Sequence, residues 1–216
     1  MANWLNTFFA NFDYAIIEFF HNIVASAPKI FVPICQILDS IGDMPLLLLG
    51  WLGLLFFFIK KDKKCGMMMI GSIMIGAIIT SLVIKKIVYR PRPYMSDIEM
   101  YKTWWQLAGA ELESETSFPS GHTTAAMAGI LGYFLWSDKK WPKCLVFLYP
   151  LIMGISRICL VVHYPSDILG GLIVGTLSSY LCLLVVNLLY KLFNKYPDFV
   201  LFRYFLTGSF KKQITE

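Results

Sequence analysis

The chain has 216 residues, enough for one domain, of which 57% are hydrophobic and only 15% are charged. Soluble domains are roughly 45–50% apolar, and so few charges would not cover the surface of a soluble fold, so the composition predicts an integral membrane protein. The net charge of +5 favours anionic lipid or an anionic substrate, since no dense basic tract with interleaved aromatic residues indicates nucleic-acid binding.

Residues 1–42 form the first predicted unit, which is more polar than the runs that follow. The stretch from Trp4 to Val24 is rich in aromatic residues but also carries Asp13 and His21. It is typical of an amphipathic helix at the membrane interface, or of a helix packed on a bundle through its polar face. Pro28 ends this helix, and a second helix is predicted over residues 30–40. Whether either helix crosses the membrane stays open.

Residues 43–192 form the second unit, a predicted catalytic transmembrane bundle in which long apolar runs alternate with polar loops. A membrane-spanning helix needs about 20 mostly apolar residues. Runs that meet or approach this length cover residues 44–59, 65–84, 120–136, 144–162 and 168–190. The predicted fold class is all-α, a polytopic membrane bundle of five to six transmembrane helices, followed by an interfacial or cytoplasmic tail at 193–216.

Small residues recur every four positions in the last predicted span, at Gly171, Gly175 and Ser179. This spacing places them on one face of the helix, where they allow a neighbouring helix to approach closely. We therefore expect another helix of the bundle to pack on this face.

The longest predicted loop, residues 85–118, is polar and contains several prolines. Its aromatic residues 101–107 are predicted to form an interfacial helix. The acidic residues Glu111, Glu113 and Glu115 follow this helix. They suit either a lid that selects lipid headgroups or a solvated surface, which is the commoner use of such residues.

The distribution of basic residues predicts which side each loop faces. One side of the predicted bundle collects twelve Lys and Arg residues, from the loops at 60–64 and 137–143 and from the tail, and the other side collects six. The positive-inside rule assigns the richer side to the cytoplasm. The chain is therefore predicted to be a multi-pass protein of the plasma membrane whose polar motifs lie on the extracytoplasmic face.

The first polar cluster on this face contains Lys85, Arg92 and Pro93, in the pattern Lys-x6-Arg-Pro. Pro91 and Pro93 are expected to stop the preceding helix and to aim the Arg92 guanidinium toward the membrane surface. A guanidinium binds phosphate oxygens through a planar fork, whereas Lys85 adds a point charge. Three further cations are interpreted as membrane-surface anchors, the commoner role of such residues: Lys86, Arg90 and Lys102.

The second cluster, at the start of a predicted span, is Pro119, Ser120, Gly121 and His122. Serine is a good N-cap, glycine allows a ligand close to the backbone, and the free amides of a helix N-terminus attract anions. A Ser-Gly pair alone is ordinary helix capping. His122 in the first turn adds a group that can give a proton to a departing alkoxide or phosphate.

The third cluster contains Ser156, Arg157, His163 and Asp167. Arg157 supplies a second guanidinium. His163 and Asp167 are four residues apart, and Pro165 between them suits the start of the last helix, so Asp167 can accept a hydrogen bond from one imidazole nitrogen. The other nitrogen is then an unprotonated nucleophile, oriented as in a serine-protease triad.

A metal site is the main competing use of two histidines and an aspartate. Lys85, Arg92 and Arg157 converge on the same place, however, and three cations repel a divalent metal and attract an anion. We therefore expect no metal and no other cofactor. His21, the third histidine of the chain, is assigned a structural role.

Together the three clusters resemble the signature motifs of the type 2 phosphatidic acid phosphatase superfamily, complete and in order over residues 85–167. The resemblance implies a helical bundle and metal-independent hydrolysis of a lipid phosphate or diphosphate through a phosphohistidine. It implies that His163 attacks phosphorus, that Asp167 orients His163, and that His122 protonates the leaving group. The residues that it assigns to phosphate binding are Lys85, Arg92, Ser120, Gly121 and Arg157.

Several substrates and two other functional classes stay open. The short chain is similar to bacterial enzymes that process polyprenyl diphosphate or phosphatidylglycerophosphate, and undecaprenyl diphosphate, hydrolysed to the monophosphate, is our first candidate. Phosphatidylglycerophosphate or phosphatidic acid comes next.

A lipid phosphotransferase would use the same residues with an alcohol in place of water. A non-catalytic transporter or assembly factor is least favoured, because it would not need both histidines and the aspartate. The sequence does not indicate an oligomeric state.

Overall fold

The computed structural model describes residues 1–43, 45–58, 62–113, 116–136, 147–196 and 199, and every regular element in these ranges is helical. Several sequence-based expectations lie outside the described residues. They concern Lys60 and Lys61, Glu115, the basic loop at 137–143, the first residues of the span predicted at 144–162, and the tail beyond 199.

Ten helices are described in chain order. They are α1 Ala2–Phe8, α2 Ala10–Ser26, α3 Pro28–Asp43, α4 Pro45–Phe58, α5 Lys63–Ala77, α6 Lys85–Val88, α7 Glu99–Ala108, α8 Gly121–Trp136, α9 Leu148–Cys159 and α10 Pro165–Lys195. A π-helical segment, Ile78–Ile84, joins α5 to α6. The predicted break at Pro28 and the predicted aromatic helix at 101–107 are both confirmed, the latter as α7.

Within the described ranges, two segments are long and apolar enough to cross a membrane. Lys63–Met95 has 33 residues with a mean hydropathy of 2.3, and Pro165–Lys195 has 31 residues with a mean hydropathy of 2.1. Only 33% of each apolar window is buried, which distinguishes these helices from the core helices of a soluble protein. Large apolar side chains such as Ile173, Leu184 and Leu188 are exposed along α10 and suit contact with lipid. The fold is thus an all-helical bundle with membrane-capable helices.

Helices α5, α8 and α10 pack against one another and form the centre of the bundle. The predicted small-residue face of α10 lies against α8, as expected. A Cβ atom added at Gly175 would lie 2.7 Å from the Thr124 carbonyl oxygen, and one added at Gly171 would lie 2.8 Å from the Ser120 carbonyl oxygen. Ser179 Oγ donates to the Ala128 carbonyl at 3.0 Å. This close approach brings the start of α8 to the start of α10.

The N-terminal helices pack directly on the helices that carry the third motif. Helices α2 and α3 contact α9, and α2 also contacts α10. Ile17 of α2 belongs to one apolar cluster with Tyr101, Ile158 and Tyr164. Asp13 on the same helix is 2% exposed, so its carboxylate lies inside the protein and not toward water. The polar face of α2 at Asp13 is therefore packed against the bundle.

The helix before the first motif runs past the predicted span at 65–84 and ends with α6 at Val88, shortly before Pro91 and Pro93. Tyr89 then adopts a left-handed conformation with φ of 49°. A residue with positive φ cannot continue a right-handed helix, so the chain has already turned before the prolines. Pro93 starts a short 3₁₀ turn, Pro93–Met95. The turn at Tyr89 directs the side chains of the following segment into the protein.

Candidate active site

His163 and Asp167 form a buried pair at the junction of α9 and α10. Pro165 is the first residue of α10, and Asp167 in its first turn accepts a hydrogen bond from the Tyr164 amide at 2.8 Å. Oδ2 of Asp167 lies 3.4 Å from Nδ1 of His163. The capped helix start therefore holds the carboxylate beside one imidazole nitrogen, and Nε2 is left to face the other side.

His163 is 1% exposed and lies among cations. Its Nε2 is 3.3 Å from Nη1 of Arg92. Burial, followed by the positive charges of Arg92, Arg157 and Lys85, lowers the pKa of His163 well below the usual 6.5. Because a lowered pKa favours the neutral imidazole, His163 keeps an unprotonated nitrogen at neutral pH.

Arg92 and Arg157 are each 1% exposed and face the same carboxylate. Glu113 pairs with Nη2 of both arginines, and Asp39 of α3 pairs with Nη1 of Arg157. Nη1 of Arg92 also donates to the Val162 carbonyl at 2.9 Å, which holds this guanidinium beside His163. The two guanidinium groups thus converge on one anion-sized position next to the imidazole.

The Glu113 carboxylate lies between the two arginines, and its side chain is only 27% exposed. Interpreting Glu113 as part of a solvated surface is therefore wrong for this residue. Among the described residues, none accepts a hydrogen bond from the buried Nε of Arg157. A tetrahedral anion carries more acceptor oxygens than a carboxylate and can reach donors that Glu113 leaves unused.

The start of α8 forms the second wall of the site. Ser120 is fully buried, and its Oγ lies 3.5 Å from the Thr123 amide, the position of an N-cap. Its own amide donates to the Asp167 carbonyl at 3.1 Å, which ties the second motif to the third. A Cβ atom at Gly121 would meet nothing within 4 Å, so the space in front of this turn is open. The N-terminus of α8 thus faces open space beside the His163–Asp167 pair.

A cavity of about 720 Å³ reaches Arg157. His122, Arg157 and Glu113 line it, together with residues of α3 such as Gln36 and Asp39. Lys85, 8% exposed at the end of the π-helical segment, lies close enough to lower the pKa of His163. Of the residues that the sequence assigned to the site, His122 and Arg157 line this cavity, and the charges of Arg92, Arg157, Lys85 and His122 act on His163.

Arg90 is the residue that sequence reasoning placed incorrectly. It was interpreted as a membrane-surface anchor, but it is 1% exposed and donates to Asp167 Oδ1 at 2.7 Å and to Asp13 Oδ2 at 2.8 Å. Ser117 was also missed; its Oγ donates to Asp167 Oδ2 at 2.5 Å. Arg90 lies close to Arg92 in the chain, and Ser117 lies close to Ser120. This closeness to motif residues was the signal that could have identified them as part of the site. Nothing in the sequence indicated that Asp13 would be buried beside them.

The fold and the site define a class of protein. It is helical and membrane-capable, and a histidine held by a carboxylate lies beside a cluster of cations that can bind an anion. Comparison with known proteins is consistent with this class. The model of the PAP2 superfamily matches residues 66–191, which is more than half of the chain. The protein therefore belongs to the PAP2 superfamily.

Curated relatives match over the motif region. Undecaprenyl-diphosphatase BcrC of Bacillus subtilis (strain 168) is 39% identical over 70 residues, 32% of this chain and 34% of the relative. Phosphatidylglycerophosphatase B of the same organism is 36% identical over 78 residues, 32% of this chain and 38% of the relative. The match thus spans about a third of the length of these relatives.

Solved structures share the fold over most of the chain. The crystal structure of the first transmembrane PAP2 type phosphatidylglycerolphosphate phosphatase from Bacillus subtilis has a TM-score of 0.53 and 25% sequence identity. The similarity covers 84% of this chain and 93% of that chain. The share of this chain that is not covered is shorter than residues 1–65. The similarity therefore includes part of this N-terminal segment, outside the motif region.

Proposed function

We propose that the protein is a membrane lipid phosphatase that hydrolyses a lipid phosphate or diphosphate. The observation that carries this proposal is the pair of buried arginines that already hold a carboxylate beside a neutral, carboxylate-oriented histidine. Such a site binds an anion and offers it a nucleophile, which is what phosphoryl transfer through histidine requires. Membership of the PAP2 superfamily and the names of the matched relatives support the same activity.

In the proposed mechanism, Nε2 of His163 attacks phosphorus while Asp167 stabilises the positive charge that develops on the imidazole. The bond from phosphorus to the leaving oxygen breaks, and His122 gives that oxygen a proton. Water then attacks the phosphohistidine, the phosphorus–nitrogen bond breaks, and inorganic phosphate leaves with His163 regenerated. His122, now without its proton, accepts one from the water.

Cationic side chains and helix amides supply the electrostatic stabilisation in this mechanism. Arg92, Arg157 and Lys85 bind the phosphoryl oxygens, and the Ser120 hydroxyl and the Gly121 amide donate to the same group. Because these donors are already in place and buried, they stabilise the developing charge without rearranging. No metal or other cofactor is needed for the proposed steps.

We propose undecaprenyl diphosphate as the first substrate to test. Support comes from the matched relative that is named an undecaprenyl-diphosphatase. Phosphatidylglycerophosphate is the second, because a relative and a similar solved structure carry that name. Phosphatidic acid is the third. The polar cavity of about 720 Å³ has room for a diphosphate or a glycerophosphate headgroup.

The activity is tested by phosphate release from these three lipids, with purified protein in detergent and excess chelator. We expect turnover of at least one lipid without added metal, and inhibition by vanadate, which mimics five-coordinate phosphorus. A parallel reaction with an added acceptor alcohol separates hydrolysis from phosphotransfer, because transfer yields a new phosphoester. Strict dependence on added magnesium, or no turnover of any lipid phosphate, would contradict the proposal.

The topology belongs to the proposal as well. We propose five to six membrane crossings within residues 43–192 and the N-terminal helices, a tail at 193–216 that is interfacial or cytoplasmic, and an extracytoplasmic active site. The charge asymmetry of the loops supports this orientation.

A cysteine placed at Leu112, which is 74% exposed at the cavity edge, tests the orientation. We expect it to react with an impermeant thiol reagent in intact cells, because the loop after α7 faces outward in the proposed topology. The four described native cysteines are buried, so the unsubstituted chain serves as the background control. Labelling that requires cell lysis would reverse the orientation.

A second variant, Glu113→Gln, tests whether the carboxylate competes with the phosphoryl group. Removing the charge takes the shared carboxylate away from both arginines, although Asp39 still pairs with Arg157, so we expect inorganic phosphate to inhibit about tenfold more strongly. Glu111→Gln is the matched control, because Glu111 is an exposed glutamate of the same cavity. Equal phosphate inhibition of wild type and Glu113→Gln would mean that Glu113 does not occupy the phosphate position in solution.

A further inference from the structure

A second buried ionic network lies on the far side of the His163–Asp167 pair. Its members are Asp13, Arg90, Ser166 and Asp167, which are 2%, 1%, 2% and 0% exposed. Of these, only Asp167 belongs to the three motifs. Asp13 lies on α2, outside the residues that match the family model. Buried charges are costly unless they are paired, so this arrangement calls for a physical explanation.

Arg90 is committed to this network through all three of its nitrogens. Nη1 donates to Asp167 Oδ1 and to Ser166 Oγ, both at 2.7 Å. Nη2 donates to Asp13 Oδ2 and Nε to Asn6 Oδ1, both at 2.8 Å. The guanidinium also lies 3.8 Å from the centre of the Tyr164 ring. Arg90 therefore acts on the Asp167 side of the site, unlike Arg92 and Arg157, which face the anion position.

Asp13 holds both Arg90 and the start of α10. Its Oδ1 accepts from the Ser166 amide at 2.9 Å, and its Oδ2 accepts from Ser166 Oγ at 2.8 Å as well as from Arg90. The Ser166 amide is one of the free donors of the first helical turn, and Asp13 satisfies it from another helix. The N-terminal helix α2 thus fixes the turn that carries Asp167.

The two oxygens of Asp167 have separate partners. Oδ1 bonds Arg90, whereas Oδ2 accepts from the Tyr164 amide at 2.8 Å and from Ser117 at 2.5 Å and faces His163. This division leaves Oδ2 as the oxygen that aligns the imidazole. A fully buried carboxylate keeps its charge only beside a cation, and Arg90 is the cation that contacts it.

We propose that Asp13 and Arg90 are positioning residues of the phosphoryl-transfer site, an inference that rests on the proposed phosphatase function. Arg90 keeps Asp167 ionised and turned toward His163. Asp13 balances the charge of Arg90, so that the negative charge of Asp167 stays available to the imidazole. These effects matter most in the transition state, when His163 becomes positively charged, and much less when the anion binds in the ground state.

The test compares kcat, KM and inhibition by inorganic phosphate for full-length wild type and variants, using whichever lipid phosphate the wild type hydrolyses. For Asp13→Asn we expect kcat to fall about tenfold, as is common when the group that orients a reactive side chain is lost. We expect phosphate inhibition to stay within about twofold, because Arg92, Arg157 and Lys85 are untouched.

The Arg90 variants extend this comparison. Arg90→Gln should lower kcat about 100-fold, the size of effect that misplacement of a reacting group produces. Arg90→Lys should recover part of that loss, because it restores the charge beside Asp167 but cannot reach all four acceptors. Asp97→Asn is the matched control, since Asp97 is an exposed aspartate outside the network, and its kcat should equal that of wild type.

The kinetic pattern separates positioning from a merely structural role. If Asp13→Asn keeps the wild-type kcat, or loses kcat and phosphate binding in proportion, the proposal is overturned. If that variant does not fold, Arg90→Lys decides the question, because it keeps every charge and loses part of the guanidinium's hydrogen bonds to Asp13 and Asp167. A wild-type kcat for Arg90→Lys then overturns the proposal, and a lower kcat with unchanged phosphate inhibition supports it. A wild type that turns over no lipid phosphate contradicts the proposed function instead.

Discussion

His163→Ala should abolish phosphate release from the lipid substrate, with a loss on the order of 10⁴-fold or more in kcat. The physical reason is that Nε2 of His163, 3.3 Å from Nη1 of Arg92, is the nucleophile of the proposed mechanism. Without it, water has to attack phosphorus directly, and the two-step route through a phosphohistidine is lost. The measurement is single-turnover and steady-state phosphate release by purified protein in excess chelator.

A matched control removes a histidine outside the site. His21 stacks on Trp104 with ring centroids 4.3 Å apart, and His21→Ala should keep turnover within about threefold, because a ring contact of this kind contributes only modestly to stability. Labelled substrate should also leave acid-labile phosphate on wild type but not on His163→Ala. Near-normal turnover by a folded His163→Ala protein would remove His163 from the nucleophile role.

His122→Asn should lower turnover of the lipid substrate by about 10²–10⁴-fold, the usual contribution of a general acid. His122 lies in the first turn of α8 and lines the cavity, on the side from which the leaving group departs in our mechanism. The loss should be much smaller with p-nitrophenyl phosphate, because that leaving group departs without protonation. Parallel assays of the two substrates measure this difference.

The comparison of leaving groups distinguishes proton donation from phosphate binding. A phosphate-binding residue such as Arg157 should affect both substrates about equally, so Arg157→Gln is the reference variant. His21→Ala again serves as the unaffected histidine. If His122→Asn loses the same factor with both substrates, His122 binds the phosphoryl group and does not protonate the leaving oxygen.

Much of the site could be predicted because its signals are local. His163, Pro165 and Asp167 lie within one helical turn, so their spacing alone predicts a capped helix start with a carboxylate beside an imidazole, and the structure contains this arrangement. The small-residue face at Gly171 and Gly175 is also a local pattern, and the packing of α8 on it is confirmed. Periodicity within one helix carries this information because the helix fixes which residues share a face.

Other features could not be predicted, because they depend on contacts between distant parts of the chain. Arg90 and Asp13 are 77 residues apart, and each alone has the sequence context of a surface charge. Glu113 stands among other acidic residues, and only the fold brings it between Arg92 and Arg157. The left-handed turn at Tyr89 likewise has no glycine at that position to mark it.

By itself the sequence determined the superfamily, since three motifs hold two histidines, an aspartate and a set of cations in the order that the family resemblance requires. It also determined the apolar character of the helices. Only the tertiary structure decided which charges are buried and which partners they have. The reason is that burying a charge is favourable only when a partner is placed within bonding distance, and for Arg90 that partner comes from α2, a separate helix near the N-terminus.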